Sequence, residues 1–327
     1  MNFLRPVKPE LHPLLQLLLL LGYAMAGAVV FTLLSFIFVL PIYGMGVIDG
    51  LMTGNITGKT ADALKIMQAA SSIGVFIVPA LLLVRTEGRK FSDFYHFRRP
   101  EPSFFLLVLA IMVASLPVME CVALWNQKMV LPEGLKWLED WMRRKEDEAM
   151  EITIALISTK SIGGLLVNML VIAILPGIGE ELMFRGAVQR AFGRAFRNPH
   201  FVIWITAFIF SAIHMQFYGF LPRLLLGAAF GYIYFWTGNL WYAMFAHFLN
   251  NAYSVTAAYI MQQQGHSLRE IDSTAYFAWY GYVISLILTI ALFRILRNRG
   301  TKRETELDQS LHNDEHLRGR DFETGSD

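Results

Sequence analysis

The sequence predicts an all-α integral membrane protein, a polytopic bundle of about eight transmembrane helices around a polar cavity. Of its 327 residues, 55% are hydrophobic and only 17% are charged, which is too apolar for a soluble domain of this size. Long uncharged runs recur along almost the whole chain, so the hydrophobicity belongs to several spanning segments and not to one anchor. The formal net charge of +2 is too small to indicate a nucleic-acid partner, and the predicted partner is the lipid bilayer.

Windows of about 20 apolar residues locate the predicted spans. Eight segments meet this criterion: 14–42, 66–84, 103–126, 161–188, 200–216, 220–237, 239–262 and 276–294. The first follows the basic residues Arg5 and Lys8 and contains an Ala-x-Ala triplet, as a cleaved signal peptide would. Its apolar run continues to Pro41, however, which is long enough to span the bilayer by itself. We therefore expect a retained first span.

Basic residues predict the orientation. The loop 85–100 holds five of them, residues 190–197 hold three, and the segment 294–303 is basic too. All three lie on one side if the spans alternate, and the positive-inside rule makes that side cytoplasmic. We therefore expect a multi-pass protein of the cell membrane with both termini cytoplasmic. Residues 1–298 would form the membrane domain, and residues 299–327, which lack an apolar period, a disordered cytoplasmic tail.

Two further features lie near the predicted membrane surfaces. Residues 134–150 place Leu and Trp side chains at near-helical spacing among charges of both signs, which predicts an interfacial helix on the outer face. Lys160 and Glu120 fall near the outer ends of their spans and can reach the headgroups. Arg223, just after Pro222, is interpreted as interfacial for the same reason.

The fourth predicted span carries charges that cannot reach the surface in this way. Pro176 and the glycine that follows loosen the helix one turn before Glu180. Glu181 and Arg185 are four residues apart and share one face, so they are predicted to form an ion pair. Glu180 lies about 100° around the helix axis from Glu181, so it should point elsewhere without a local counter-charge.

Two later spans carry histidines at matching spacing. Phe210 and His214 are four residues apart, and so are His247 and Asn251. A single buried histidine is commonly bonded to a backbone carbonyl, but these two occur together with Glu180. A rise of about 1.5 Å per residue places all of them in the hydrocarbon layer. We expect Glu180, both histidines and Asn251 to converge on one cavity.

Such a set permits several chemistries. A carboxylate and an imidazole facing one water can act as general base, and a second histidine with an asparagine can donate to an oxyanion, which together would hydrolyse a peptide bond. Glu180, His214 and His247 could instead bind zinc, with water as a fourth ligand. Buried Glu, His and Arg also build proton relays, so a proton-coupled transporter is an alternative, and a non-catalytic membrane scaffold is another.

The succession E-E-x-x-x-R followed by G, then F-x-x-x-H, then H-x-x-x-N, each in an apolar span, resembles the CAAX protease and bacteriocin-processing (CPBP, or Abi) family of intramembrane proteases. The resemblance covers about residues 160–262. It implies an eight-helix endopeptidase related to the enzymes that remove the last three residues of prenylated CAAX proteins. A peptide or a lipidated protein would be the substrate.

The resemblance also implies a role for each motif residue. Glu180 and His214 would activate water, while His247 and Asn251 would hold the oxyanion. The supporting residues would be Glu181, Arg185 and Phe210. Because the H-E-x-x-H spacing of a zinc helix is absent from these motifs, we expect a metal-independent glutamate mechanism and no cofactor, with zinc as the alternative.

Overall fold

The structure is a computed structural model that describes residues 9–268 and 277–323, with side chains described as far as residue 301. In these parts of the chain every regular element is a helix, which confirms the predicted all-α class. Arg5 and Lys8, before the first span, and residues 324–327 of the tail lie outside the described residues. The helices are α1 (Pro13–Tyr43), α2 (Gly46–Thr53), α3 (Lys59–Glu87), α4 (Phe91–Phe94), α5 (Pro102–Gln127), α6 (Lys136–Ile157), α7 (Ile162–Ala195), α8 (Pro199–Ala212), α9 (Phe220–Thr237), α10 (Leu240–Gln263) and α11 (Trp279–Glu323).

Each predicted span coincides with a helix, but the helices differ in how well they suit a bilayer. Five are long and apolar enough to cross it, namely α1, α3, α5, α7 and the first part of α11. Helix α8 has only 14 residues, and α9 and α10 carry polar side chains that lower their hydropathy. The protein is therefore a multi-pass membrane protein, and the predicted number of eight spans is not confirmed.

Local signals set the boundaries of the helices that carry the site. Asn198 begins α8, because its side chain accepts a hydrogen bond from the backbone N–H of His200 at 3.0 Å and Pro199 follows it. Helix α9 ends at Gly238, whose φ of +57° is a left-handed conformation that favours glycine. Asn239 then caps α10 through the N–H of Trp241. This tight turn sets α9 and α10 side by side.

Helix α7 lies at the centre of the bundle. Every residue of its segment Leu182–Gln189 is buried, whereas α1 and α11 expose many large apolar side chains on their outer faces. Its neighbours are α1, α3, α8, α9 and α10. The polar side chains of α7 are therefore surrounded by protein, as a spanning helix with internal charges requires.

Helix α6 is the amphipathic element that the sequence predicts, although it extends to Ile157. It packs on the loop 213–219 between α8 and α9. The ring of Trp141 lies 5.3 Å from that of Phe217, and a Glu146 oxygen accepts a hydrogen bond from the Tyr218 N–H at 3.1 Å. Burial raises the pKa of Glu146, although the Tyr218 N–H and the charge of Arg223 partly offset this. Helix α6 thus covers the end of α8 that carries His214.

The end of the chain is helical as far as Glu323, and the predicted disordered tail of residues 299–327 stays a prediction. Helix α11 continues past residue 299 to Glu323. The stretch has no apolar period, but its Glu, Leu and Arg residues have high helix propensity.

Candidate active site

The site is built around an irregular part of α7. Two π-helical segments, Met169–Ile174 and Leu182–Gln189, flank the α-helical stretch Leu175–Glu181 that contains both glutamates. Such segments within α-helices are frequent at functional sites, because each shifts the direction in which the following side chains point. The predicted loosening near Pro176 is therefore present, as changes in helix type and not as a break.

Asn251 compensates for the proline. Pro176 has no N–H to donate to the carbonyl of Ile172, four residues earlier. The Asn251 side-chain amide donates to this carbonyl at 3.0 Å, and its oxygen accepts a hydrogen bond from the Asn250 amide at 3.1 Å. Asn251 thus joins α10 to the irregular part of α7. Among the described residues it has no hydrogen bond to Glu180, His214 or His247.

Gly177 lets α7 and α10 approach closely. A Cβ atom at this position would lie 3.2 Å from the backbone nitrogen of Phe248 and 3.4 Å from its Cα. Backbone atoms cannot move aside as a flexible side chain can. The missing side chain therefore brings α7 near the turn of α10 that carries His247.

Glu181 is the centre of a buried network. Its Oε1 accepts hydrogen bonds from Arg185 Nη1 at 2.5 Å and from His247 Nδ1 at 2.8 Å. The side chains of Glu181 and Arg185 are both 0% exposed. The predicted ion pair is therefore present, and His247 is an additional partner that the helix geometry of α7 did not reveal.

Aromatic rings and one carbonyl hold the other side of this network. Arg185 donates to the Gly227 carbonyl at 2.8 Å, and its guanidinium carbon lies 4.8 Å from the ring centre of Phe210. The Phe230 ring stacks on the His247 imidazole at 5.2 Å. The described structure leaves Glu181 Oε2 and Arg185 Nε buried without a hydrogen-bond partner. The network is rigid and largely closed to solvent.

Glu180 has the opposite environment. Its side chain is 13% exposed, and no described residue donates a hydrogen bond to it. Its Oε2 lies 3.9 Å from His247 Nε2, which is too long for a direct hydrogen bond. A carboxylate in this position can accept a hydrogen bond from a water or a substrate group.

His214 lies just beyond the end of α8, which is shorter than the predicted span. Its Nδ1 donates to the Phe210 carbonyl at 2.7 Å, because a carbonyl can only accept. The other ring nitrogen, Nε2, therefore carries the lone pair in the neutral form. The Phe210 ring lies 5.1 Å from the His214 ring and 6.0 Å from the His247 ring. Phe210 thus contacts both imidazoles, and the described structure has no direct hydrogen bond between His214 and Glu180.

Arg223 is the site residue that the sequence reasoning missed. The prediction placed it at the interface, whereas its Nη2 donates to Gln216 at 2.6 Å and it interacts electrostatically with Glu180 and Glu146. It also interacts with His214. Its Nη1 is buried without a hydrogen-bond partner in the described structure. The sequence feature that could have identified Arg223 is that it is a single arginine in an apolar helix, without an acidic residue one turn away.

The described residues contain no group of three His, Cys, Asp or Glu side chains close enough to hold a metal ion. The predicted alternative ligands, Glu180, His214 and His247, do not form such a group.

Comparison with known proteins gives a partial match over this region. Residues 162–253 match the family described as type II CAAX prenyl endopeptidase Rce1-like. An uncharacterised protein of Bacillus subtilis (strain 168), YpbD, is 31% identical over 89 residues, which are 26% of this chain and 42% of that protein. The chain thus spans less than half the length of this relative. No solved structure matches the chain significantly.

The matched segment includes every residue of the three motifs, from Glu180 to Asn251. The resemblance drawn from those motifs is therefore confirmed. Over residues 162–253 the chain is similar to the Rce1-like family of type II CAAX prenyl endopeptidases.

Proposed function

We propose that the protein is an intramembrane endopeptidase in which Glu180 activates the attacking water. The observation that carries the proposal is the difference between adjacent residues. Glu181 is bonded to Arg185 and His247, whereas Glu180 accepts no hydrogen bond from any described residue. A carboxylate inside a membrane protein is costly unless it has a partner or a function. A partly desolvated carboxylate beside imidazoles is suited to general-base catalysis.

In this mechanism Glu180 removes a proton from water while the oxygen attacks the carbonyl carbon of the substrate. The Nε2 lone pair of His214 orients the same water, since its Nδ1 proton is held by Phe210. Glu180 then gives the proton to the leaving amine as the tetrahedral intermediate collapses. Glu180 thus carries the proton in both steps, and His214 orients the water.

His247 is the group proposed to stabilise the oxyanion. Its Nδ1 donates to Glu181, so its Nε2 can donate to substrate only when the ring is an imidazolium. Glu181 Oε1 lies 2.8 Å from His247 Nδ1, and Glu180 Oε2 lies 3.9 Å from His247 Nε2. Asn251, which the resemblance assigns to the same task, donates to Ile172 instead, and we propose that it positions α7 and α10.

The substrate is proposed to be a membrane-anchored peptide or a lipidated protein cleaved at a CAAX-type C-terminus. The family match supports this class, and the site supports cleavage within the depth of the bilayer. We place the basic end of the bundle, with both termini, in the cytoplasm. Glu180 would then lie about 15 Å from that surface.

Cleavage by purified protein tests the proposal. The wild type, Glu180→Gln and the control Glu148→Gln, an exposed residue of α6, would be reconstituted with an internally quenched farnesylated CAAX peptide. We expect hydrolysis by the wild type and the control and none by Glu180→Gln. In parallel, membranes of cells with the wild type or Glu180→Gln would be compared for new protein termini.

The outcomes separate the alternatives. Glu180-dependent termini without peptide cleavage would keep the peptidase and exclude the prenylated class. Proton flux in proteoliposomes that Glu180→Gln abolishes, without any cleavage, would instead support a carrier. Normal cleavage by Glu180→Gln would refute the assignment of the base.

We also propose that hydrolysis needs no metal ion. Activity should survive exhaustive chelation in protein that elemental analysis finds free of zinc. Loss of activity on chelation and its recovery on adding zinc would contradict this part of the mechanism.

A further inference from the structure

A second cavity lies at the other end of α7, away from Glu180. It has a volume of about 310 Å³ and is enclosed by the end of α7, the beginning of α8, the end of α9 and the segment before α5, with Gly300 of α11 at its edge. Gln189 and Arg190, which line it, follow Glu180 by about 15 Å along the helix. This cavity is therefore separate from the candidate active site.

The charge of this cavity is positive. Three arginines line it, Arg98, Arg190 and Arg197, and no acidic residue is among its described lining residues. Arg190 bonds Glu10 at 2.6 Å through Nη2, while its Nη1 is buried without a hydrogen-bond partner in the described structure. The planar forks of arginine side chains suit phosphate oxygens. The cavity is therefore suited to an anion with several oxygens.

His96, also in the lining, does not add to this charge. Its burial and the nearby charges of Arg190 and Arg98 lower its pKa to about 4. It is therefore neutral at physiological pH, and the positive charge of the cavity comes from arginines, which do not titrate there. Anion binding should consequently change little between about pH 6 and 8.

The rest of the lining is apolar. Phe196, Val202, Ile203, Phe235 and Trp236 form one wall of the cavity. A free phosphate ion would leave this wall uncovered, whereas a molecule with a phosphate and a hydrocarbon chain would cover both parts. Basic pockets between membrane helices at the headgroup level bind anionic lipids for this reason.

We propose that this cavity binds an anionic phospholipid, with its phosphodiester at the arginines and part of an acyl chain along the apolar wall. The cavity lies at the basic end of the bundle, where loops rich in Arg and Lys are expected to meet a lipid surface. Bound lipid would bridge α7, α8 and α9 and stabilise the folded protein by mass action. The site is independent of the proposed peptidase activity.

Two kinds of variant test the site, one by charge and one by volume. Arg98→Gln combined with Arg197→Gln removes two positive charges, and Arg99→Gln is the matched control, because Arg99 is adjacent but does not line the cavity. Gly193→Trp keeps all charges. Gly193 lines the cavity, and a Cβ atom there would meet nothing within 4 Å, so the ring can enter the space without disturbing the helix.

Binding would be measured by native mass spectrometry of protein in neutral detergent, with phosphatidylglycerol, phosphatidylcholine or inorganic phosphate added. We expect phosphatidylglycerol to be retained and to raise the unfolding temperature. Its affinity should fall about 25-fold in the double arginine variant, at about 5-fold per charge. Gly193→Trp should lose binding too, while Arg99→Gln should resemble the wild type.

Three results would overturn the proposal. Unchanged phosphatidylglycerol binding in both cavity variants would mean that the lipid binds elsewhere. Equal binding of phosphatidylcholine would show that the arginines do not select the charge. Inorganic phosphate that stabilises the protein as strongly as the lipid would assign the cavity to free phosphate.

Discussion

Glu180 and Glu181 are neighbours in sequence, yet their carboxylates have opposite environments. Glu181 is fully buried and bonded to Arg185 and His247, while Glu180 is 13% exposed and accepts no hydrogen bond from the described residues. The rotation of about 100° between successive residues of a helix is enough to produce this difference. The glutamate with hydrogen-bond partners, Glu181, therefore holds the site together. The glutamate without them, Glu180, is the one available for chemistry.

Substitutions of the two histidines give the clearest test of this difference between a structural and a chemical role. His214 is bonded only to a backbone carbonyl and should act on the water, whereas His247 belongs to the buried network. We expect His214→Ala to lower cleavage by about 10²–10⁴-fold with little change in unfolding temperature. His247→Ala should lower both. Initial rates and thermal unfolding in detergent measure this, and a destabilised His214→Ala would show that the assignment is wrong.

Removing one member of the buried pair should be the largest stability effect. Arg185→Met leaves the buried carboxylate of Glu181 without its guanidinium partner and with His247 alone, so we expect a loss of about 3–5 kcal/mol in unfolding free energy. Adding Glu181→Gln should recover part of that loss, because no unpaired charge then remains. Denaturant unfolding of the single and double variants checks this, and equal stability losses would contradict it.

A substitution at Gly177 tests whether the positions of the two carboxylates depend on the close packing of α7 against α10. Gly177→Val would place side-chain atoms against the Phe248 backbone, where a Cβ alone would already be 3.2 Å from its nitrogen. We expect a loss of about 1–3 kcal/mol and weaker cleavage, because α7 moves away from His247. Gly163→Val, at a helical position where a Cβ would meet nothing within 4 Å, is the control. Equal effects of the two substitutions would refute the packing argument.

Substituting Asn251 should have the smallest effect. The size of the loss in cleavage decides whether this residue positions the helices or binds the oxyanion. If its amide mainly satisfies Ile172, Asn251→Ala should cost about 1 kcal/mol of stability and leave cleavage within about 10-fold of the wild type. If it binds the oxyanion, as the resemblance implies, cleavage should fall by about 10²–10³-fold. Unfolding and kcat measured on the same preparation distinguish these results, and we expect the first.

The sequence predicts what depends on local geometry. The helix positions follow from apolar runs, and the ion pair of Glu181 and Arg185 follows from their spacing of four residues. The bond between Glu181 and His247 could not be predicted, since it joins α7 to α10 and depends on their approach at Gly177. The predicted fifth span also extended too far. Helix α8 ends at Ala212, and Met215 has a positive φ of 54°, which a hydropathy window cannot detect.

The environment of Arg223 could not be predicted from its position within a span. An arginine near the end of an apolar helix commonly reaches the lipid headgroups. Here Gln216 accepts a hydrogen bond from it, and the charges of Glu146 and Glu180, on other elements, act on it. Only the tertiary arrangement distinguishes an interfacial arginine from one that belongs to the site.

The most direct test compares Glu180→Gln with Glu181→Gln, since both substitutions remove one charge and keep the size of the side chain. Cleavage rate and unfolding temperature would be measured on the same purified proteins. The account predicts that Glu180→Gln loses cleavage and keeps the wild-type unfolding temperature, while Glu181→Gln unfolds at a lower temperature. Retained cleavage in Glu180→Gln, or a stability loss as large as that of Glu181→Gln, would contradict it.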